Sequence, residues 1–349
     1  MADLRVAVVG YGLSGRFFHA PLIAATEGLV VAAVITSSDE RRSQVAREHP
    51  GAAAIASVED LWTGRTPDLI VVATPNSSHV PIAAAAIDRR IPVVVDKPLA
   101  IDAADATGLV TRAAAAGVLL TVFQNRRWDT DQLTLKRLIA EGAIGDVTRY
   151  ESRFERWRPE VDASKWRETA PPEEGGGVLL DLGSHLVDQA LTLFGHASHV
   201  YAELESRRDL AAEDDVFIAL RHASGAISHL HASAVAPSPG PRLRVQGTSA
   251  GFLVPGLDPQ EAELRQGGRP DTVEHWGEPP AWERGRLVAG ERSVPVPPVP
   301  GDWPRFYALL RDAIRNGGPP PVDPRDAVAA LRVLDAARVA ARERRVVTL

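Results

Sequence analysis

Three ionisable side chains in the middle of the sequence have the spacing of a proton-transfer set. Asp181 and His185 are four residues apart and Asp188 follows three residues later, so a helix over 178–193 would place all three on one face. An imidazole exchanges a proton near neutral pH, and a neighbouring carboxylate would orient or charge the ring. An exposed helix with an ordinary i, i+4 pair has the same spacing. The pattern therefore predicts either a site that faces a wet cleft or a plain surface pair.

A lysine stands where a parallel sheet would present it to a ligand. Lys97 follows the apolar run 92–95, and ligands bind at the carboxyl ends of the strands in such sheets. There its charge would stabilise negative charge that develops on a substrate oxygen. The alternative is an ordinary solvated surface lysine.

A glycine-rich segment follows the first apolar run of the chain, 4–9, and precedes a helical pattern. Its residues fit the pattern G-x-G-x-x-G and are Gly10, Tyr11, Gly12, Leu13, Ser14 and Gly15. The first glycine permits a tight turn, the second lets the backbone approach a pyrophosphate, and the third lets helix and strand pack closely. The helix N-terminus then faces the phosphate charge. We therefore expect a dinucleotide to bind here.

The end of the second apolar run, 29–35, indicates which dinucleotide is favoured. Enzymes that prefer NAD usually carry Asp or Glu there to bind the ribose 2′-hydroxyl, whereas this chain has Thr36, Ser37 and Ser38, with Arg41 following. Hydroxyls and an arginine tolerate a 2′-phosphate that a carboxylate would repel. The sequence thus favours NADP over NAD, although Ser38 is also a good N-cap for the next helix.

The elements that must position these residues are indicated by hydrophobic patterning. Five short apolar runs, 4–9, 29–35, 69–73, 92–95 and 118–122, alternate with alanine-rich helical patterns, which is typical of a doubly wound parallel sheet. We expect this Rossmann-type domain to span residues 1–125.

The second domain, 126–349, has a different pattern. After a helix over 130–141, the runs 147–157, 199–207, 216–220, 226–232 and 243–246 follow one another with few helices between them, which predicts an open antiparallel sheet. Residues 256–302 are rich in Gly, Pro and charge and predict an irregular surface excursion. Helices are expected over 303–316 and 324–344, and they could pack back on the first domain.

Composition excludes several classes of protein. The 349 residues carry a formal net charge of -6 and no cysteine, so a nucleic-acid footprint, disulfides and thiolate metal sites are not expected. The histidines show no short metal-ligand spacing, and no metal is predicted. Since no long apolar stretch or leader pattern is present, we expect no membrane partner and a cytoplasmic location.

Further motifs resemble those of the Gfo/Idh/MocA oxidoreductases. They include Asp96-Lys97-Pro98, where that family usually has Glu-Lys-Pro, the segment 73–79 after a strand, and Gly175-Gly176-Gly177 leading into Asp181 and His185. The segments 16–22, 125–129 and 156–161 are most similar to the branch that contains NADP-dependent scyllo-inositol dehydrogenases.

This resemblance implies a dehydrogenase that passes a hydride between a nicotinamide cofactor and a secondary alcohol of a cyclic polyol or sugar. It implies a homo-oligomer, dimer or tetramer, formed through the open sheet. Lys97 would be catalytic, with His185 as the leading proton acceptor and Asp181 as its partner; Lys97 is the alternative acceptor. Further cofactor contacts would come from Thr74, Pro75, Asn76, His79, Asp96 and Pro98. Candidates for binding the substrate hydroxyls are Asn125, Arg126, Arg153, Arg156, Trp157, Trp166 and Arg167.

Two other functions fit the same scaffold. One is different chemistry in the same family, such as an aldose or dihydrodiol reductase or an NAD-dependent glycosidase. The other is a dinucleotide sensor without catalysis, which would have no need of the set Lys97, Asp181 and His185.

Overall fold

A computed structural model describes residues 2–349, and two β-sheets organise them. The first sheet has six parallel strands in the order β3-β2-β1-β4-β5-β6. This is the order of a doubly wound dinucleotide-binding domain, and it confirms the predicted fold class. The strands are β1 (Leu4–Val9), β2 (Leu29–Ile35), β3 (Ala53–Ile55), β4 (Leu69–Val72), β5 (Val93–Asp96) and β6 (Leu120–Phe123).

Helices cover both faces of this sheet, so the strands β4 and β5 and the edge strand β6 are buried at every position. That burial explains why they are continuous apolar runs rather than alternating patterns. The helices are α1 (Ala20–Ala24), α2 (Asp39–Glu48), α3 (Val58–Thr63), α4 (His79–Asp88) and α5 (Ala103–Ala116), and a π-helical turn at Gly15–His19 leads into α1.

The second sheet has nine strands in the order β14-β13-β12-β11-β7-β10-β9-β8-β15. Its neighbours are antiparallel except β7 and β10, which pair in parallel, so the expectation of a purely antiparallel sheet was wrong at this pair. Here β11 and β12 form a hairpin that pairs with the far side of β7. The strands are β7 (Val147–Glu155), β8 (Ala197–Glu205), β9 (Asp215–His222), β10 (Ile227–Ser233), β11 (Leu243–Gly247), β12 (Gly251–Val254), β13 (Arg286–Ala289), β14 (Arg292–Pro295) and β15 (Val347–Thr348).

The segment 256–302 is more regular than its composition predicts. It contains a short helix and the hairpin of β13 and β14, which extends the second sheet at one edge. The helices of this half of the chain are α6 (Thr130–Ala140), α7 (Trp166–Thr169), α8 (Ser184–Phe194), α9 (Gln260–Arg265), α10 (Pro304–Asn316) and α11 (Pro324–Glu343), and a π-helical turn at Leu179–Gly183 leads into α8.

The last two long helices return to the first domain. The Tyr307 hydroxyl of α10 lies 2.6 Å from His19 Nδ1, and the Thr121 hydroxyl of β6 donates to the carbonyl of Val322 at 2.8 Å. On α11, the Asp335 carboxylate accepts from the backbone N–H of Ala103 at 2.9 Å. These contacts hold the two sheets in a defined relation across the cleft between them. Within residues 2–349, no helix combines the length and apolarity that a membrane span requires.

Candidate active site

A cleft of about 690 Å³ opens between the glycine-rich loop and the second sheet. Its volume lies within the range of small-molecule and cofactor sites, roughly 300–1,000 Å³. The first domain lines one end, and α8, α9 and the segment after β7 line the other. Of the predicted site residues, the cleft is lined by Gly10, Tyr11, Gly12, Leu13, Ser14, Thr36, Ser37, Arg41, Thr74, Pro75, Asp96, Lys97, Asn125, Arg126, Arg156, Trp166, Arg167, Asp181 and His185.

The glycines of the loop have the roles that dinucleotide binding requires. Gly10 has φ +98°, and a Cβ there would lie 2.4 Å from the carbonyl oxygen of Ala73. A Cβ on Gly15 would lie 2.0 Å from the carbonyl oxygen of Gly10, whereas one on Gly12 would meet no atom within 4 Å. Gly10 and Gly15 are therefore required for close packing, and Gly12 leaves open space for a pyrophosphate beside the backbone. The residues present fit a nicotinamide dinucleotide.

The ribose end of the cleft is lined by Thr36, Ser37 and Arg41, and by the exposed side chain of Glu59. Ser38 does not line the cleft. Its hydroxyl accepts from the backbone N–H of Arg41 at 3.3 Å and caps α2, so its role is the helix cap. Among residues 2–349, Arg41 has no carboxylate partner, whereas its neighbour Arg42 pairs with Asp39.

Two of the predicted cofactor contacts, Asn76 and His79, support the loops instead of lining the cleft. Asn76 is buried and donates from Nδ2 to the carbonyl of Gly175 at 2.9 Å, which joins the two domains. The buried ring of His79 lies between the carbonyls of Thr74 and Pro98, at 3.0 and 2.8 Å. These residues shape the cofactor site without contacting it, because their polar atoms are already used by the backbone.

Asp96 lies directly before Lys97 in the chain and is 5% exposed. Its carboxylate accepts from the backbone N–H of Lys97 at 2.8 Å and lies 3.9 Å from Nε2 of the buried His19. Burial alone would raise the pKa of Asp96, but His19, Lys97 and the Ser14 hydroxyl outweigh it and hold the pKa well below its ordinary range. Asp96 therefore stays ionised and fixes the backbone from which Lys97 projects.

Lys97 and Asp181 form an ion pair across the cleft. Lys97 Nζ donates to Oδ1 of Asp181 at 2.9 Å and to its backbone carbonyl at 2.6 Å, and Arg167 Nε lies 3.3 Å from the same carboxylate oxygen. Burial would raise the pKa of Asp181, but the charges of Lys97 and Arg167 outweigh it and hold the pKa well below its ordinary range. Two of the three ammonium protons of Lys97 are thus engaged, and one is left for a ligand.

His185 is held by a residue that sequence reasoning missed. Its Nδ1 lies 3.2 Å from Oε1 of Gln124, and the ring is 5% exposed. Because an amide oxygen only accepts, Nδ1 carries the proton and Nε2 is the free basic nitrogen. Burial, together with the positive charges of Lys97 and Arg126, holds the pKa of His185 well below its usual value. The ring is therefore neutral over the physiological range.

The expected partnership of Asp181 with His185 was wrong, although both residues lie on the same side of the helix. Asp181 belongs to the π-helical turn and pairs with Lys97, His185 contacts Gln124, and Asp188 pairs with Arg127 at 2.6 Å. All three side chains reach the edge of the first domain, but each has a separate partner there. The Asp181 carboxylate is used by Lys97, and the Asp188 carboxylate is used by Arg127.

Two of the candidate substrate contacts lie outside the cleft. Arg153 pairs with Glu151 at 3.2 Å on the outer face of β7, and Trp157 is 56% exposed. Side chains alternate between the two faces of a strand, so Phe154 and Arg156 face inward where Arg153 and Trp157 face outward. The alternation of side chains along a strand could therefore have distinguished the inward-facing Arg156 from the outward-facing Arg153 and Trp157 in the sequence alone.

The cleft also contains charged residues that come from distant segments of the chain. The Glu261 carboxylate of α9 accepts from Arg126 Nη2 at 2.5 Å. The Trp303 ring lies beneath the guanidinium of Arg126, with 5.7 Å between the ring centroid and Arg126 Cζ. Both lie in or beside the segment 256–302 that was predicted to be surface. Within residues 2–349, no group of His, Asp and Glu side chains is arranged to hold a metal ion.

Comparison with known proteins identifies relatives along the whole chain. Residues 4–124 match the model of an oxidoreductase family with an NAD-binding Rossmann fold, and residues 136–349 match the C-terminal alpha/beta domain of that family. The oxidoreductase YdgJ of Escherichia coli is 39% identical over 335 residues, 95% of each chain. The scyllo-inositol 2-dehydrogenase (NADP(+)) IolW of Bacillus subtilis is 33% identical and covers 99% of this chain and 96% of its own. A solved structure, the oxidoreductase yvaA from Bacillus subtilis, superposes with a TM-score of 0.93 at 32% identity, covering 100% of this chain and 99% of that one.

Proposed function

The chain belongs to the Gfo/Idh/MocA oxidoreductase family, and from this premise we propose that it interconverts a secondary alcohol of a cyclic polyol or sugar with the corresponding carbonyl compound, preferring NADP. The observation that carries the proposal is the position of Lys97 and His185. They line one cleft with the glycine-rich loop, an ammonium and a neutral imidazole facing the same space. A sensor without catalysis would not need this pair.

The cofactor site and the reacting site are continuous. Gly12 and the adjacent backbone would hold the pyrophosphate, and Thr74 and Pro75 would lie along the path to Lys97. When bound, the nicotinamide supplies the acceptor or donor of the hydride. The protein itself has to bind the alcohol, hold the hydroxyl proton and stabilise charge on the oxygen.

His185 is the group we assign to the proton. Its Nε2 is free to accept the hydroxyl proton because Gln124 fixes the hydrogen on Nδ1. The remaining N–H of Lys97 would donate to the same oxygen as negative charge develops there, since its other two protons are held by Asp181. The alternative, in which Lys97 accepts the proton, is less well supported because Lys97 Nζ already donates to the carboxylate and the backbone carbonyl of Asp181.

The preference for NADP is proposed from the ribose end of the cleft. Ser37 occupies the position where a carboxylate would repel a 2′-phosphate, and the unpaired Arg41 lies beside it. The relative named as an NADP-dependent scyllo-inositol 2-dehydrogenase is in keeping with this preference. Glu59 is exposed to solvent, so its opposing charge is screened.

We also propose that two or four copies assemble through the outer face of the second sheet. Aromatic side chains occur together there, with Phe217 4.9 Å from His231 and 6.5 Å from Tyr201 between ring centroids. These rings are half-buried within one chain, and a second copy would cover them. Light scattering of the purified protein tests this, and a monomer would refute it.

The catalytic proposal is tested by following the absorbance of the reduced nicotinamide. Inositol isomers and aldoses are each offered with NADP and with NAD. Turnover of at least one of these compounds, faster with NADP, is the expected outcome. If the full panel with both cofactors gives no turnover, in the oxidative and in the reductive direction, the proposed substrate class is wrong.

A further inference from the structure

We infer that the preferred substrate carries a carboxylate, as a sugar acid or cyclitol acid does, and that Arg156 binds it. This inference deepens the proposed function and rests on it, because the carboxylate belongs to the molecule whose alcohol reacts. It concerns the end of the cleft formed by the segment after β7, α7 and α9. Arg156 is the anchor arginine, the residue that would hold the carboxylate.

The carboxylates that line this end of the cleft already have cationic partners. Asp181 pairs with Lys97 and Arg167, and Glu261 pairs with Arg126 at 2.5 Å. Glu168 and Asp214 both pair with Arg208, at 3.0 and 2.9 Å. Glu213, which also lines the cleft, has no cationic partner among residues 2–349, but its carboxylate accepts from the backbone N–H of Leu179 at 3.1 Å, and burial raises its pKa.

The anchor arginine is the cation left over. Its guanidinium lines the cleft and has no ion pair or hydrogen bond with any of residues 2–349, while Asp181 and Glu261 are near enough to act on it only through their charge. Burial lowers the pKa of Arg156, which means that its charge is poorly compensated in the protein alone. A buried cation of this kind is stabilised best by an anion that enters the cleft.

The backbone holds this arginine in place before any ligand arrives. The N–H of Arg156 donates to the carbonyl of Ser233 at 2.8 Å, and its own carbonyl accepts from the N–H of Ala236 at 3.0 Å. These bonds fix the backbone from which the side chain projects into the cleft, so binding has to order only the side chain.

The other cations at this end are less available. Arg126 is engaged by Asp129 and Glu261 and stacks on Phe154, 4.6 Å from its ring centroid. Lys165 pairs with Asp162 at 2.7 Å. Arg158 also lines the cleft, but its side chain is exposed, whereas that of Arg156 is half-buried. The planar fork and single charge of the Arg156 guanidinium match a carboxylate, and a phosphate probe tests whether the two arginines bind a doubly charged anion instead.

The carboxylate does not react in this scheme. The carbinol carbon loses its hydrogen as a hydride to the nicotinamide, and the hydroxyl loses its proton to His185 Nε2, which leaves a carbonyl group. Asp181 acts electrostatically on both Arg156 and the Lys97 ammonium, so the anchored carboxylate and the reacting alcohol would lie at neighbouring positions. The expected substrate is compact, with its acid group a few bonds from the carbinol.

The test compares neutral and acidic sugars of matched stereochemistry. D-glucose is paired with D-glucuronate and D-galactose with D-galacturonate, with glucose 6-phosphate as the phosphate probe. We expect at least one acid to exceed its neutral partner by about 10-fold or more in kcat/KM. Arg156→Met should reduce kcat/KM for that acid about 10- to 100-fold more than for its neutral partner, mostly through KM.

Arg149→Met is the matched control, because it removes the same charge from an exposed position on β7 outside the cleft. Arg149→Met should leave the ratio of kcat/KM for the acid to kcat/KM for its neutral partner unchanged. Arg156→Lys should retain part of the preference for the acid that Arg156→Met loses. Melting curves check that each variant is folded. Equal loss for acids and neutral sugars in Arg156→Met, preference for the neutral partner in all pairs, or preference for the phosphate probe would overturn the inference.

Binding separates this inference from the proposed function. Trp166 and Trp303 line the cleft, so their fluorescence reports ligands that bind to the NADP complex even without turnover. If no sugar is oxidised but the acids bind more tightly than their neutral partners, and only when Arg156 is present, the proposed reaction fails and the carboxylate site stands. If acids and neutral sugars bind equally, the carboxylate site fails whatever the turnover.

Discussion

Replacing Gln124 by glutamate should move the acid limb of kcat/KM to higher pH. The Gln124 oxygen lies 3.2 Å from Nδ1 of His185, so Gln124→Glu places a negative charge roughly 4 Å from the imidazolium charge. At an effective dielectric constant of about 20 their attraction is about 4 kcal/mol, an upper limit of about three pKa units. Burial of the new carboxylate opposes part of this. We expect a rise of about one to two units.

The direction of this shift follows from the protonation state of the His185 ring. In the unaltered protein, burial and the neighbouring cations hold the pKa of His185 well below its usual value, so the basic form persists to low pH. A raised pKa protonates the ring sooner as pH falls, and activity is lost at higher pH. Stopped-flow measurement of hydride transfer between pH 4.5 and 9 gives the limb directly.

A neutral variant at the same position is the control for geometry. Gln124→Met removes the acceptor without adding charge, so it should lower kcat while leaving the acid limb unshifted or lower. If the limb does not move in Gln124→Glu, it reports another group, and His185 is not the proton acceptor. If both variants move it upward, loss of the hydrogen bond rather than charge is responsible, and the electrostatic reasoning is refuted.

Three other substitutions and one pH titration test the remaining assignments. Lys97→Met should abolish measurable turnover while cofactor affinity, followed by fluorescence titration, stays within a few fold; near-normal turnover would exclude Lys97 from the chemistry. His185→Asn should lower kcat by roughly two to four decades and remove the acid limb, and a steep limb with an unchanged midpoint would contradict this. Ser37→Asp should reverse the order of kcat/KM from NADP to NAD, whereas better use of NAD by the unaltered protein would remove the premise. Burial lowers the pKa of His79 and His185 in the folded protein, so the unfolded state binds protons first as the pH falls below about 6.5. The free energy of unfolding should then fall by up to about 1.4 kcal/mol per pH unit for each ring. Melting temperatures of His79→Asn and of the unaltered protein should therefore converge as the pH falls.

The first domain was predictable because its signals are local. Strands such as β4 and β5 are buried on both faces and are therefore apolar at consecutive positions. The Gly10 motif is likewise read within six residues, and its steric reason is visible in the contacts that a Cβ would make. Each of these features leaves a local signal in the sequence, although the contact that requires Gly10 is made with Ala73, which is distant in sequence.

The partners within the site were not predictable from spacing. Gln124 and His185 are 61 residues apart, and Arg126 and Glu261 are 135 apart, so only tertiary packing brings them together. Helical spacing correctly suggested that Asp181 and His185 lie on one side. It could not reveal that Lys97 would take the carboxylate, because that choice depends on how the π-helical turn meets the end of β5.

The opposite charge states of Lys97 and His185 follow from that choice. Burial penalises a charge on either group, and the ionised carboxylates Asp96 and Asp181 both lie near enough to act on them through their charge. The two contacts of Asp181 with Lys97, at 2.6 and 2.9 Å, stabilise the ammonium, and the remaining positive field of Lys97 and Arg126 then disfavours a second cation at His185. Had Asp181 been placed against the imidazole, the ring would be protonated and could not accept a proton. One carboxylate, by pairing with the lysine, thus sets both an electrostatic donor and a neutral base in the same cleft, as the oxidation of an alcohol requires.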